Sequence, residues 1–156
     1  MKPTVYIETT VISYLAASPS RDLVVAAHQQ ITHDWWTRRA RFELLTSQAV
    51  LDEASRGDKG VAGRRVGFLA TIPVLTVSDE VIEFAAQLLR ERVVPPKVHS
   101  DALHISVAAM NHINYLLTWN CAHIANATVR GKIESTCGAA GLQAPIICTP
   151  EELLEA

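Results

Sequence analysis

Four side chains have the types that divalent-metal chemistry needs and stand where chain segments begin or end: Glu8, Glu53, Asp101 and Asn120. Glu8 directly follows the β-branched and aromatic run Thr4–Ile7 and precedes two small hydroxyl residues, a place with no evident packing reason for a carboxylate. Asp101 opens an apolar helical segment, and Asn120 lies just past the short apolar run Tyr115–Thr118. Taken singly, each has an ordinary explanation. An acid at a helix start gains roughly 0.3–1 kcal/mol from the macrodipole, Asn is common in turns, and Glu53 could be solvated. Taken together, they converge on one sheet edge from separate chain segments, which the ordinary explanations do not predict. Three carboxylates within a few ångströms raise one another's pKa unless a cation sits among them. Hard oxygen donors suit Mg²⁺ or Mn²⁺, and such a centre can hold a phosphodiester, acidify a water and stabilise a leaving oxygen.

The elements that must position these groups can be read from periodicity. Thr4–Ile7 is a first strand, followed by a short helix over Val11–Leu15 and a Ser-Pro-Ser loop. From Asp22 a long helix is expected with Leu23, Ala27, Ile31 and Trp35 as its apolar face, ended by Arg38, Arg39 and Arg41. Phe42–Thr46 is a second strand, and Ser47 is the N-cap of a helix over Gln48–Arg56, which Gly57 closes. On that helix Val50, Leu51 and Ala54 define the buried face; Glu53 flanks it at 100° per residue while Asp52 points away. A weaker helix over Lys59–Ala70, a third strand over Val74–Val77 and a helix capped by Ser78 follow, the last with Val81, Ile82, Ala85, Leu88 and Leu89 on its face. After Pro95-Pro96, Ser100 is the expected N-cap of a helix whose face is Leu103, Val107 and Met110. A helix of about 12 residues runs back roughly 18 Å and a four-residue strand returns roughly 13 Å. Packed antiparallel, they bring Asp101 and Asn120 to one edge. A helix over Asn126–Cys137, a fifth strand over Ile146–Cys148 and a capped helix start at Thr149-Pro150-Glu151-Glu152 complete the chain. The alternation describes one α/β domain over residues 1–156, with a central, mainly parallel five-stranded sheet flanked by helices.

Composition sets the outer bounds. With 156 residues, 49% apolar and 19% charged, the chain can bury a sizeable core as one domain. A net charge of −2 excludes a generally basic nucleic-acid glove, although seven of the 14 Lys and Arg fall between Arg38 and Arg65. Three cysteines without a CxxC pair suit a reducing compartment. Glu8 interrupts the early apolar run that a signal would need, and no segment approaches the ~20 apolar residues of a membrane span. A soluble, cytoplasmic protein is the expectation. There is no GxSxG nucleophile elbow and no GxxxxGK phosphate loop.

At the residues Val5–Leu15, Leu51-Asp52-Glu53-Ala54, Ser100–Ser106, Tyr115–Asn120 and His123–Asn126, the sequence resembles PIN-domain ribonucleases of the VapC-like toxin group. The order and spacing of these blocks match over essentially the whole chain. The resemblance implies a PIN-like three-layer fold and a toxin of a toxin–antitoxin pair. It further implies a metal-dependent endoribonuclease with Glu8, Glu53 and Asp101 binding or positioning Mg²⁺ or Mn²⁺. Asn120 would complete the inner or outer sphere, and Thr10 and Thr118 would orient a water. It implies RNA as substrate, a small antitoxin as inhibitory partner and a homodimer, with no membrane. Arg38 and Arg39, beside Trp35-Trp36, and Arg56 are the candidate RNA or partner contacts. The chain departs from the family at Glu8, where Asp is usual, and at Asn120, where an acid is frequent. These departures favour an alternative reading, a non-catalytic PIN-like module binding RNA or protein; a metal-assisted hydrolase of small phosphoesters is a third.

Overall fold

In the computed structural model, which describes residues 1–155, five short strands form one sheet in the order β3-β2-β1-β4-β5. The strands are β1 (Thr4–Ile7), β2 (Glu43–Ser47), β3 (Val74–Leu75), β4 (Tyr115–Leu117) and β5 (Ile146–Cys148). Every pairing is parallel, so the expected mainly parallel sheet is wholly so. Val5, Tyr6 and Ile7 are all fully buried, as a central parallel strand covered on both faces requires.

The helices are α1 (Thr9–Ala16), α2 (Leu23–Thr37), α3 (Gln48–Ala54), α4 (Lys59–Leu69), α5 (Asp79–Arg90), α6 (His99–Met110) and α7 (Ala127–Ala139). Right-handed crossovers place α1–α4 over one face of the sheet and α5–α7 over the other. The packing of α1 on α2, α3 and α4, and of α5 on α6, agrees with this. The chain runs outward from β1 through β2 to β3, then returns to β4 on the opposite side of β1. The carboxyl ends of β1 and β4 are therefore the topological switch point, where open α/β sheets bind ligands.

Several sequence-based expectations need correction. On α2, Leu23 is 86% exposed and Ala27 is exposed, whereas Gln29, Thr32 and Trp35 are buried. The buried face is thus rotated from the apolar periodicity, because Thr32 accepts the indole N–H of Trp119 at 2.7 Å and Gln29 pins the Ser18–Ser20 loop. Ser100 lies inside α6 rather than capping it, since the turn Pro96–Val98 feeds the helix two residues earlier, with Val98 at the N-cap. Nor does α6 bury a single stripe: Asp101, Ala102 and all of His104–Ala109 are buried, because α5 covers the side that the sheet does not. Ile82 on α5 is 51% exposed. Strand β3 stops at Leu75, and the segment after Thr149 forms turns rather than a helix among the described residues.

Candidate active site at the switch point

Glu8 is the residue after β1. Its N–H donates to the carbonyl of Leu117 at 3.1 Å, extending the β1–β4 ladder by one step before the chain turns into α1. The backbone is extended there, and Oε2 accepts the N–H of Thr10 at 3.1 Å, so Glu8 is the N-cap of α1. The acid therefore has a local structural task after all. Oε1 accepts the Thr118 hydroxyl at 2.5 Å and also the Thr10 hydroxyl. The same two hydroxyl oxygens accept the N–H groups of Asn120 and Trp119, both at 2.9 Å. Thr10 and Thr118 thus clasp the end of β4 to Glu8 by direct contact. Glu8 is only 3% exposed. Burial raises its pKa above the usual carboxylate range, against the opposing pull of His104 and the threonine donors.

Glu53 sits in the last turn of α3, half-buried as the helical-wheel argument requires, while Asp52 is exposed and bonded to Gln48. Its Oε1 accepts the Thr9 hydroxyl at 2.8 Å and Nε2–H of His104 at 2.5 Å. His104 is fully buried, and its Nδ1 is 2.7 Å from the Tyr6 hydroxyl, which is 2.7 Å from Ser47 Oγ. Ser47 precedes α3 as expected, but its side chain makes no cap bond because it is engaged with Tyr6. Burial acts against charge on His104. The bond to Glu53 and the fields of Glu8, Glu53 and Asp101 outweigh it, and the net effect is a raised pKa. For Glu53, burial is likewise outweighed, by His104, Thr9 and Arg56, and its pKa is lowered.

Asp101 is 8% exposed and close enough to Asn120 for the amide to lower its pKa, so the helix start and the strand end meet as the spacing predicts. Asn120 Oδ1 accepts the N–H of His123 at 3.0 Å. A carboxylate can only accept, so the Asn120 amide nitrogen is the group that can face Asp101 favourably. Burial raises the Asp101 pKa, and Glu53 adds to the rise against the lowering effects of Asn120, His104 and His123.

Sequence reasoning missed His104, Tyr6, Ser47 and Thr9. The signal for His104 was present: Asp101 and His104 are i, i+3 neighbours on one helical face. The basic candidates divide. Arg56 lies close enough to Glu53 to lower its pKa. Arg38 and Arg39 lead instead into Glu43, which pairs with Thr4 at the amino ends of the strands, the edge opposite the acids. There Arg38 binds the Leu154 carbonyl at 3.2 Å and Glu155 at 3.1 Å, and Arg39 lies 4.4 Å from the centre of the Trp36 ring.

The donor set suits a hard cation. Both bonds to Glu53 fall on Oε1, and the Asp101 and Glu8 carboxyls are buried acids whose ionisation the fold opposes. Three carboxyl groups around one imidazole form a donor set whose negative charge, once ionised, a divalent ion would balance. Among the described residues, however, no three Asp, Glu, His or Cys side chains group as a ready-made metal site. Glu8 is held in its threonine clasp and Glu53 on His104, so an ion would have to compete with existing hydrogen bonds.

No protein-family model matches the sequence, and neither does any curated protein. Solved structures do match. One is VapC20 of Mycobacterium tuberculosis, a Sarcin-Ricin loop cleaving toxin, with a TM-score of 0.61 and 16% identity over 76% of this chain and 92% of that one. Another is VapBC2 of Rickettsia felis bound to a DNA fragment from its promoter, with a TM-score of 0.60 and 15% identity over 94% and 98% of the two chains. With a five-stranded parallel sheet and acids at its switch point, the chain has the VapC-like PIN fold.

Proposed function

We propose that the protein is an Mg²⁺- or Mn²⁺-dependent endoribonuclease and the toxin of a toxin–antitoxin pair. The observation that carries this reading is the convergence of Glu8, Glu53, Asp101 and Asn120 at the β1/β4 switch point of a VapC-like fold. The likeness to a toxin that cleaves the Sarcin-Ricin loop, and to a VapBC complex, supports RNA as substrate and a small antitoxin as partner. A homodimer in the cytoplasm, implied by the sequence resemblance, is part of the proposal; among the described residues no helix is long and apolar enough to cross a membrane.

Asp101 and Glu53 would hold the cation with Glu8, the first two from opposite helical layers. A bound divalent ion would supply positive charge at a phosphate oxygen and lower the pKa of a water. The chain's own residues do the rest. Thr10 and Thr118 aim Glu8, Asn120 orients Asp101 through its amide, and Arg56 places positive charge beside Glu53 for an incoming phosphate.

A second reading, a non-catalytic module that binds RNA or protein, is favoured by two specific features: the neutral Asn120 and the saturated Oε1 of Glu8. Calorimetric titration with Mn²⁺ separates the two. The nuclease reading expects saturable binding that Asp101→Asn weakens by about 10-fold or more. No Mn²⁺ binding at millimolar concentration, with RNA affinity retained, selects the binding module.

A further inference from the structure

Tyr6 and His104 serve no purpose in the reading above, yet both side chains are fully buried and hydrogen-bonded to each other. Tyr6 belongs to the central strand β1, and its hydroxyl reaches past the sheet edge to Ser47 at the end of β2 and to His104 on α6. From there His104 Nε2 meets Glu53 on α3, and Glu53 meets Thr9 at the start of α1. Five residues from β1, β2, α6, α3 and α1 thus share one unbroken set of contacts, each 2.5–2.8 Å long. Burying a tyrosine hydroxyl and an imidazole is costly unless every polar atom is paired. A sheet core of this kind would ordinarily hold Phe and Leu. The polar pair has one outlet, the carboxylate of Glu53.

The direction of the bonds follows from what each atom can do. The ionised Glu53 carboxylate only accepts, so His104 Nε2 must donate to it. With a neutral ring, Nδ1 is then an acceptor, Tyr6 donates to it, and Ser47 donates to Tyr6. With a charged ring the last two bonds reverse and the first does not. In both arrangements Glu53 receives a proton donor whose position is set by Tyr6 and Ser47.

We propose that Ser47, Tyr6 and His104 are positioning residues that aim the Glu53 carboxylate: Ser47 and Tyr6 hold the ring, and His104 with Thr9 occupies Oε1 and reserves Oε2 for a ligand at the switch point. The inference rests on the nuclease reading for what that ligand is. It does not rest on that reading for the aiming itself. The arrangement explains why α3, which ends one residue after Glu53, can present this side chain reproducibly: the carboxylate is held from the core and not by its own helix.

The test pairs an NMR measurement with kinetics on the full chain. In wild type, the His104 ring should show an Nε2–H protected from exchange, and Tyr6→Phe and Glu53→Gln should each shift both nitrogens. With Mn²⁺ and RNA, Tyr6→Phe and His104→Leu should lower kcat by about 10- to 100-fold, with KM changed less than kcat. His104→Gln, whose amide reaches the Nε2 position and donates to Glu53, should recover part of that loss. Tyr6→Phe is close to isosteric and guards against a trivial failure to fold. The proposal is overturned if Tyr6→Phe, still folded, leaves kcat and the His104 resonances unchanged. It is equally overturned if His104→Gln is no better than His104→Leu. Should wild type cleave no RNA, the nuclease reading falls, and the proposal then stands or falls on the coupling of the His104 resonances to Tyr6 and Glu53.

Discussion

Glu8 and Asp101 are acids with raised pKa, His104 is a base with raised pKa, and Glu53 beside it is lowered. In metal-free protein these signs give a definite stability profile. A carboxyl that prefers its proton when folded loses stability as pH rises from the unfolded values of 4.5 for Glu8 and 3.8 for Asp101. His104 contributes fully below 6.5 and loses its contribution as pH rises through the folded pKa. Glu53 contributes above 4.5 and loses its contribution as pH falls through its lowered folded value. Thermal melts in EDTA should therefore decline as pH rises from 6 toward 8. Asp101→Asn keeps a hydrogen-bonding amide and removes a buried charge, so its Tm at pH 8 should exceed wild type, by about 2–4 °C per kcal/mol relieved. A Tm that climbs from pH 6 to pH 8 in the wild type would contradict this balance.

At the scale of elements, the presentation of Glu53 depends on how α3 ends. Gly57 follows with φ +84°, a left-handed conformation, and the Arg65 guanidinium holds the Ala54 and Arg56 carbonyls at 2.9 and 2.5 Å. Gly57→Ala should cost about 1–2 kcal/mol for that conformation, or roughly 2–8 °C in Tm. By contrast Leu23→Ser, at an apolar position 86% exposed, should change stability by no more than about 0.5 kcal/mol. Both are read from thermal melts. The contrast marks what the sequence could disclose. Strand β1, with its unbroken β-branched and aromatic run, was legible to the residue, and so was β5. Glu53 over Asp52 followed from helix geometry alone. The face of α2 did not, because its inward Gln29 and Thr32 are buried through hydrogen bonds to Ser18, Ser20 and Trp119, which no local pattern records. The partnership of Tyr6, Ser47, His104 and Glu53 was illegible for the same reason: its four members lie as much as 98 residues apart.

Across the whole molecule, the topology makes these local arrangements a single site. Strands β2 and β4 flank β1 on opposite sides, so Glu8 stands at the one place where the chain reverses its direction of winding, and α3 and α6 meet above it. Glu53 and Asp101 come from helices on the two faces and reach the same edge, with Asn120 between the end of β4 and Asp101. The opposite edge carries Arg38 and Arg39, bound to the chain's own C-terminal turn and to Trp36, so a substrate drawn to the acids would meet Arg56 rather than that pair. The central claim is that the switch-point acids cleave RNA with a divalent ion. Its most direct test is incubation of total RNA and purified transfer RNA with the protein in Mn²⁺ or in EDTA, wild type beside Asp101→Asn. Discrete fragments with wild type in Mn²⁺, none in EDTA and none with folded Asp101→Asn are the predicted result. Cleavage by Asp101→Asn equal to wild type, or no cleavage by either protein in Mn²⁺ with antitoxin absent, would contradict it.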